Sequence, residues 1–400
     1  MSNLPKGWEL VQFDKVCDIR DGTHDSPKYI ENGVPFITSK HLTDNGIDFT
    51  ETNYISEENH IEFSKRSKVD NGDILFGMIG TIGKPVIVNT DFEFSIKNVA
   101  LLKLSSNELL SNIYVLNLLK SNIIINQFLK LSNGGVQSFI ALGMIRKLKI
   151  PLPPIEEQKK IADILSTVDK KIAFVEENIN ATEELKKALM QKLLTEGIGH
   201  TEFKDSELGR IPQSWEVVKF KEITKVRQGL QIPISKRKKE KCENCYEYIT
   251  IQFIKNNKEV EYIENPQKTV ICTENDILMT RTGNTGIVVT NVKGVFHNNF
   301  FLIDFDRNEI SKEYLVYYLN SNSIQKEILL RAGATTIPDL NHGDFYSIKF
   351  ISPPLEEQKQ IAEILSTVDN KLENLKEKKQ SFEELKKGLM QKLLTGEVRV

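Results

Sequence analysis

The apolar residues Ile161, Leu165, Val168, Ile172, Val175 and Ile179 follow one another at alternating steps of four and three. That is the narrow seam of a coiled coil, not the broader stripe of a helix lying on a core. Ile361, Leu365, Val368, Leu372 and Leu375 repeat the seam in the same register. Leu185, Leu189 and Leu193, matched by Leu385, Leu389 and Leu393, continue each stripe after a slip in phase. Lys379 stands where the first copy has Ile179, which weakens the second seam near its middle. Each pattern opens on Pro153-Pro154 or Pro353-Pro354, where a missing N–H costs a helix nothing, followed by glutamates such as Glu156-Glu157 at the positive end of the macrodipole. Gly197 and Gly396 stand where C-caps belong. Two helices of about forty residues are predicted, each on the order of 60 Å long.

The two helical segments are copies of one another. Residues 153–195 read PPIEEQKKIADILSTVDKKIAFVEENINATEELKKALMQKLLT, and residues 353–395 read PPLEEQKQIAEILSTVDNKLENLKEKKQSFEELKKGLMQKLLT, without an insertion. Agreement over such a length, half a chain apart, marks a duplicated unit. The regions before them match only in outline. LPKGWELVQFDKVCDIRDG pairs with IPQSWEVVKFKEITKVRQG, aligning Trp8 with Trp215, and the strand Asp73-Ile-Leu75 pairs with Asp276-Ile-Leu278. One amphipathic rod cannot bury its own stripe, whereas two in one chain bury each other's. The competing reading packs each helix on its own globular half. Against that reading, Gln158, Lys159, Glu183, Lys186, Lys187, Gln191 and Lys192 recur at Gln358, Lys359, Glu383, Lys386, Lys387, Gln391 and Lys392. A repeated outer face implies a repeated partner, and hence two equivalent docking sites.

The globular halves mix short strands, such as Val34–Thr38 and Tyr248–Gln252, with late helical stretches at Ile113–Leu129 and Lys312–Leu330. Between them lie loops rich in glycine and small polar residues: Arg20–Ser26, Gly77–Gly83, Arg227–Gln231, Thr280–Gly286 and Gly333–Thr336. Glycine lets backbone N–H groups approach phosphates, and Arg, Gln, Asn, Thr and His bond to base edges. A Gly-x-x-Gly after a strand, taken alone, is more often a turn than a ligand loop. Here it follows the same Asp-Ile-Leu strand in both halves, with Arg281 in one where the other has Met78. A shared scaffold with different loop chemistry suits two readers of unlike sequences. Arg281 is able to grip guanine bidentately, and Met78 is not.

Composition narrows the classes. With 400 residues the chain exceeds one core, and its 40% apolar and 27% charged content is that of a globular protein. The start MSNLPKGWEL has no signal-peptide pattern, and no apolar run is long enough to span a bilayer. A net charge of −2 argues against a uniformly basic DNA-coating protein, although Ser235–Lys241, with Lys236 and Arg237, is a local basic patch. Cys17, Cys242, Cys245 and Cys272 are too few for a disulfide scaffold and fit a reducing cytoplasm. Cys242-Glu-Asn-Cys245 has zinc-knuckle spacing without a second pair, only Cys272 and His297 offering further ligands, so a surface turn is expected and no metal site. Catalytic signatures are missing. Gly80-Thr-Ile-Gly-Lys84 runs into Pro85 where a Walker A loop needs Ser or Thr, and Ser352-Pro-Pro-Leu355 lacks the aromatic of the amino-methyltransferase motif. Six scattered histidines form no hydrolytic pattern.

Taken with these motifs, the paired Pro-Pro-x-Glu-Glu-Gln helices ending Leu-Met-Gln-Lys-Leu-Leu-Thr make the whole chain resemble a type I restriction–modification specificity subunit. The resemblance implies an α+β chain. Target-recognition domains at 1–152 and 198–352 are joined by helices at 153–197 and 353–400, which form an antiparallel coiled coil. It implies that each domain reads one half of a bipartite double-stranded DNA site, that the coiled coil sets the spacer and docks two methyltransferase subunits, and that restriction–translocase subunits join the complex. S-adenosylmethionine and ATP would belong to those partners, with no cofactor in this chain. Carried over by position, the first recognition surface would include Gly22, Thr23, His24, Gly80, Thr81, Gly83 and Lys84. The second would include Arg227, Gln228, Gly229, Gln231, Lys236, Arg237, Thr280, Arg281, Thr282, Gly283, Asn284 and Gly286. Met78 departs from the Arg-x-Gly pattern of the second half. Two other classes remain open on the residues: a standalone methyltransferase or nuclease with duplicated recognition domains, and a coiled-coil scaffold that never touches nucleic acid.

Overall fold

The computed structural model describes residues 4–79, 83–131, 139–256, 260–333 and 337–400. The chain forms two compact units: Met1–Glu177 with Glu377–Val400, and Asn178–Lys376. The two long helices run Ile155–Leu193 and Leu355–Thr395, so each begins in one unit and ends in the other. Among the described residues no helix is long and apolar enough to cross a membrane.

The first unit is built on an antiparallel four-stranded sheet in the order Asp18–Asp21, Val99–Lys103, Ile74–Gly77 and Pro85–Ile87. All four residues of Ile74–Gly77 are buried, as an uninterrupted apolar run demands of a central strand. A second sheet places Val34–Ile37 between Asn53–Ile55 and Ser95–Ile96, the latter pair parallel. A two-stranded ladder joins Glu9–Gln12 to Lys149–Leu152, so the start of the domain lies beside the strand that feeds the long helix. In the second unit the order recurs with Thr224–Gln228, Phe300–Phe305, Ile277–Thr280 and Val288–Val289. Glu216–Lys219 pairs with Lys349–Ser352 there as its counterpart does.

Three predicted elements change on inspection. Ile113–Leu129 is two helices, Asn112–Leu119 and Asn122–Leu131, broken where the Ser121 hydroxyl donates back to Leu118 O at 2.6 Å. Lys312–Leu330 is also two helices, Lys312–Leu319 and Asn322–Ala332. The strand expected at Tyr248–Gln252 is Cys245–Ile249. Residues from Ile251 turn into a helix because the Thr250 hydroxyl accepts the Phe253 N–H at 3.1 Å.

The repeated Pro-Pro-x-Glu-Glu-Gln sequence is a joint. Gln158 is fully buried; its Oε1 accepts the Ser111 N–H at 3.0 Å, and its Nε2 donates to Leu109 O and Pro153 O, each at 2.9 Å. Gln358 does the same with Ser311 N, Glu309 O and Pro353 O. The Trp8 indole donates to Glu157 at 3.0 Å, and that of Trp215 donates to Glu357 at 2.8 Å. Gln158 and Gln358 are therefore not part of an outer face, and their recurrence is explained by identical attachment of each helix to its own domain. Glu157 and Glu357 act through these bonds, beyond any interaction with a helix dipole.

That attachment does not exclude contact between copies. In the first unit Ile161 and Leu165 share a buried core with Leu393 and Leu394 of the second long helix, beside Trp8 and Tyr114. Asp169 accepts Lys386 at 2.6 Å, and Glu176 accepts Lys379 at 2.9 Å, so the partners run in opposite directions. Within the second unit Ile361 and Leu365 share a core with Leu193 and Leu194, and Asp369 and Lys376 pair with Lys186 and Glu183 at 2.5 and 3.0 Å. Val168, Val175, Ile179 and Leu372 are buried, Ile172, Val368 and Leu375 are half-buried, and Leu185 and Leu385 are exposed. The stripe after the phase slip thus leaves the seam at its first leucine. Both glycines after the helices have positive φ, +67° at Gly197 and +74° at Gly396. Each is also pressed by a neighbour, since a Cβ at Gly197 would lie 2.5 Å from Trp215 and one at Gly396 would lie 2.4 Å from Pro5.

Candidate nucleic-acid interface

In the second unit the Thr280–Gly286 loop is pinned to the segment that follows Gly333. The Arg281 N–H donates to Asn299 O at 2.7 Å, and Arg281 O accepts the Leu340 N–H at 2.8 Å. Gly283 N and the Thr285 hydroxyl both donate to Pro338 O at 3.0 Å. Thr280 is fully buried, its hydroxyl bonded to Asn284 O and accepting the Ile287 N–H. The side chain singled out for base reading, Arg281, is already engaged. Its guanidinium donates to both Asp339 carboxylate oxygens at 3.0 and 2.9 Å, donates through Nε to Leu340 O, and lies 5.3 Å from the Phe301 ring centre. Only 13% of that side chain is exposed. Thr282 also bonds to Asp339. What the loop presents to solvent is Gly283 and Asn284, whereas Gly286 is buried against Gln325.

The second candidate stretch of this unit hangs on adjacent residues. Gln228 Nε2 donates to Asn298 O at 3.1 Å, beside the Asn299 that holds Arg281, so the structure brings these two loops together. Arg227 is exposed and donates to Thr269 O at 2.9 Å, while Gln231 and Lys236 are exposed. Arg237 is a brace, donating to Ile232 O and Glu261 at 2.8 and 3.0 Å with its guanidinium over Tyr248. Gly229 lies so close to Phe296 O that a Cβ would sit 2.2 Å away, and in the first unit Gly22 meets Ile96 O at 2.3 Å. At these two matched positions, strand packing requires the glycine, whatever else it contacts.

In the first unit His24 bridges Asn98 at 2.5 Å and Asp21 at 3.0 Å with 61% of its side chain exposed. Asp21 is buried and also receives Arg66. Thr23 is buried, its hydroxyl turned to Asp25 at 3.1 Å. Lys84 pairs with Asp44 at 3.2 Å, and Gly83 sits open at φ +75°. Gly80 and Thr81 lie outside the described residues. Met78 O accepts the Ile140 N–H at 2.7 Å, the contact that Arg281 O makes with Leu340. The scaffold is thus repeated even where the side chains differ.

Cys242 and Cys245 flank a turn at Glu243-Asn244, as the sequence reading expected, with their Cα atoms 5.1 Å apart, close enough for the two sulfurs to be bridged. Their three-residue separation keeps the sulfurs in reach, which counting cysteines does not register. Cys17 and Cys272 are free and buried, and burial pushes their thiol pKa values up to about 12 and about 11. Among the described residues no group of three or more His, Cys, Asp or Glu is placed to hold a metal ion. Sequence reasoning missed Asp339, which orders the 280–286 loop. It also missed Asp21, Glu157 and Glu357 as anchors, though the Glu-Glu-Gln repeat was the available signal for the last two.

The model of the type I restriction modification DNA specificity domain matches residues 5–184 and again residues 212–384. The chain belongs to the type I restriction–modification specificity subunit family. The putative type I restriction enzyme MjaX specificity subunit of Methanocaldococcus jannaschii is 31% identical over all of this chain and 96% of its own length. The MjaVIII specificity subunit of the same organism is 29% identical over 99% and 94%. Among solved structures, a chain described for assembly and conformational transition of the type I R-M system has a TM-score of 0.67 at 18% identity over the full length of both chains. The HsdS subunit of Thermoanaerobacter tengcongensis has 0.53 at 18% identity, covering 99% of this chain and 98% of that one. At those identities the likeness is one of fold, and the family match covers both halves of this specificity subunit.

Proposed function

We propose that this specificity subunit is a non-catalytic DNA reader. Domains 1–152 and 198–352 each recognise one half of a bipartite double-stranded site. The helices 153–197 and 353–400 together form an antiparallel coiled coil that fixes the spacer and docks two methyltransferase subunits. S-adenosylmethionine and ATP are bound by those subunits and by the restriction–translocase subunits that complete the complex. The observation that carries this reading is the contrast inside one repeated scaffold: the joints at Gln158 and Gln358 agree bond for bond, while the aligned loops carry Met78 in one unit and Arg281 in the other. Repeated attachment with unlike loop chemistry is what two readers of different half-sites need. In this reading the exposed His24, Gly83, Arg227, Gln231, Lys236 and Asn284 meet bases and phosphates, while Arg281 and Arg237 hold loop shape.

The test is single-molecule mapping of methylated adenines in cells carrying this chain with its partners. Replacing residues 198–352 by the corresponding domain of another specificity subunit is expected to change one half-site and leave the other intact. A methylation pattern indifferent to that exchange contradicts the reading.

A further inference from the structure

The second unit carries a braced apolar tip. After Gly22 the first unit continues Thr-His-Asp-Ser, whereas after the aligned Gly229 the second continues Leu-Gln-Ile-Pro-Ile-Ser-Lys. Ile232 is half-buried and packs on the small core of Tyr248, Ile263, Val270 and Val295, and Ile234, two positions on, is 77% exposed. A lone exposed isoleucine needs no explanation on an ordinary surface. This one is held out from the protein. The Tyr248 hydroxyl accepts the Ile232 N–H at 2.9 Å and donates to Leu230 O at 2.8 Å. Pro233, with φ fixed at −57°, precedes a single 3-10 turn at Ile234–Lys236, which the Arg237 N–H closes on Ile234 O at 3.0 Å. The Arg237 guanidinium ties back to Ile232 O and Glu261 and lies 5.0 Å from the Tyr248 ring centre. Backbone bonds in both directions between Lys238 and Tyr262, each 2.8 Å, fix the far side. Such bracing leaves the chain little freedom to fold Ile234 back against a core.

Cations share the segment. Arg237 and Lys238 are paired with Glu261 and Glu264 at 3.0 and 2.6 Å. Lys236, Lys239 and Lys241 are exposed and enter no ion pair among the described residues, and Glu240 is the one acid of Pro233–Lys241. An apolar point beside free ammonium groups suits a polyanion with an apolar interior, and base pairs stacked between two phosphate chains are such a ligand. The tip is also continuous with Arg227–Gln231, whose exposed Arg227 and Gln231 belong to the proposed reading surface. The first unit differs after its matching glycine. His24, Asp25 and Ser26 are exposed and polar, and the apolar Tyr29 and Ile30 beyond them lie against the Phe36 ring and the Tyr54 backbone.

We propose that Ile234 is a wedge that enters between two adjacent base pairs of the second half-site, unstacks them and kinks the duplex there, while Lys236, Lys239 and Lys241 hold nearby phosphates. The proposal rests on the specificity-subunit reading and adds a specificity-determining residue to it. Opening a step costs stacking, and the cost is least at pyrimidine–purine steps, which kink most easily. The second half-site is thereby selected for such a step without a hydrogen bond to any base. The brace serves this task, because a loosely held side chain would move aside instead of parting a stack. The device is one-sided, since the first unit presents His24 and Asp25 after its matching glycine.

The experiment uses the full complex of this chain with its methyltransferase subunits, and a duplex carrying the site that methylation mapping returns. The fluorescent base 2-aminopurine replaces purines one at a time through both half-sites. The methylated adenines are left out, because their extrusion for chemistry would brighten the probe as well. The wild type is expected to brighten the probe at one step of the second half-site. Ile234→Ala should abolish that signal, weaken binding about ten-fold and remove the preference for a pyrimidine–purine step at that place. Ile234→Leu should keep all three, and neither variant should alter signals from the first half-site. Lys239→Gln with Lys241→Gln should make the logarithmic salt slope of binding shallower by about two, whatever the DNA sequence. A stacked second half-site in the wild type, a signal that survives Ile234→Ala, or an unchanged salt slope overturns the proposal. So does loss of methyltransferase subunits from Ile234→Ala in native mass spectrometry, which would assign the tip to a protein partner. Sequence-selective binding by the wild-type complex is read on the same duplexes. Its absence would sink the specificity reading, and its presence with any of those results would sink the wedge alone.

Discussion

The two units solve one attachment problem with the same core residues and different outer ones. In both, a buried glutamine ties the helix start to its domain and a tryptophan indole bonds the preceding glutamate. The basic side chain beside that glutamate differs. Arg399, from the chain's end, donates to both Glu157 oxygens at 3.0 and 2.7 Å, whereas Glu357 receives His200 at 2.7 Å and the Ile198 N–H at 3.0 Å. At the loops the divergence is wider, a braced Arg281 against an apolar Met78. Identity is kept where the helix is tied to its domain, and released in the loops.

The tryptophans offer the largest test of that equivalence. Trp215→Ala and Trp8→Ala should each cost about 3–5 kcal/mol in calorimetric unfolding, because each empties a core and takes a hydrogen bond from a carboxylate that is buried at Glu157 and half-buried at Glu357. A small cost for Trp8 alone would show that the two joints are not equivalent. Gln158→Ala and Gln358→Ala should each cost about 2–3 kcal/mol by stranding a serine N–H, and the two values should agree within error in denaturant titrations. Arg281→Met, which copies the first unit's residue, is expected to cost about 1–2 kcal/mol, since it leaves Asp339 without its fork. Methylation mapping should then show a relaxed second half-site and an unaltered first one. Loss of discrimination in both halves would show that the units are not independent readers.

The smallest effect is on pH. The Arg399 guanidinium, helped by the Trp8 indole, holds the Glu157 carboxyl below the usual carboxylate range against the opposing effect of burial. A carboxyl with a lowered folded pKa contributes stability above its unfolded pKa, and that contribution is lost as pH falls through the folded value. Arg399→Gln should therefore move the start of acid unfolding to higher pH. A curve unchanged by the substitution would separate the bridge from stability.

Much of the architecture was legible because repetition is a sequence property. The helices, their starts and the pairing of domains follow from residues 153–195 and 353–395. The domain interiors were less so. Ser121 breaks a helix and Thr250 redirects a strand through hydrogen bonds that apolar periodicity does not register. Among the site residues, glycines and arginines were picked by type, and type does not reveal prior engagement. Arg281 meets Asp339 from fifty-eight positions away, and Gly22 meets the backbone of Ile96. Both contacts are long-range, set by which strands become neighbours.

If, as proposed, the paired helices fix the distance between the two readers, helix length sets the unread spacer. Lengthening both helices by two turns at matching heptad positions adds about 10 Å to each, or about three base pairs of duplex. Methylome sequencing of cells carrying that variant should return both half-sites unchanged with the unread spacer widened by about that amount. The original spacing, kept with full methylation, would contradict the account.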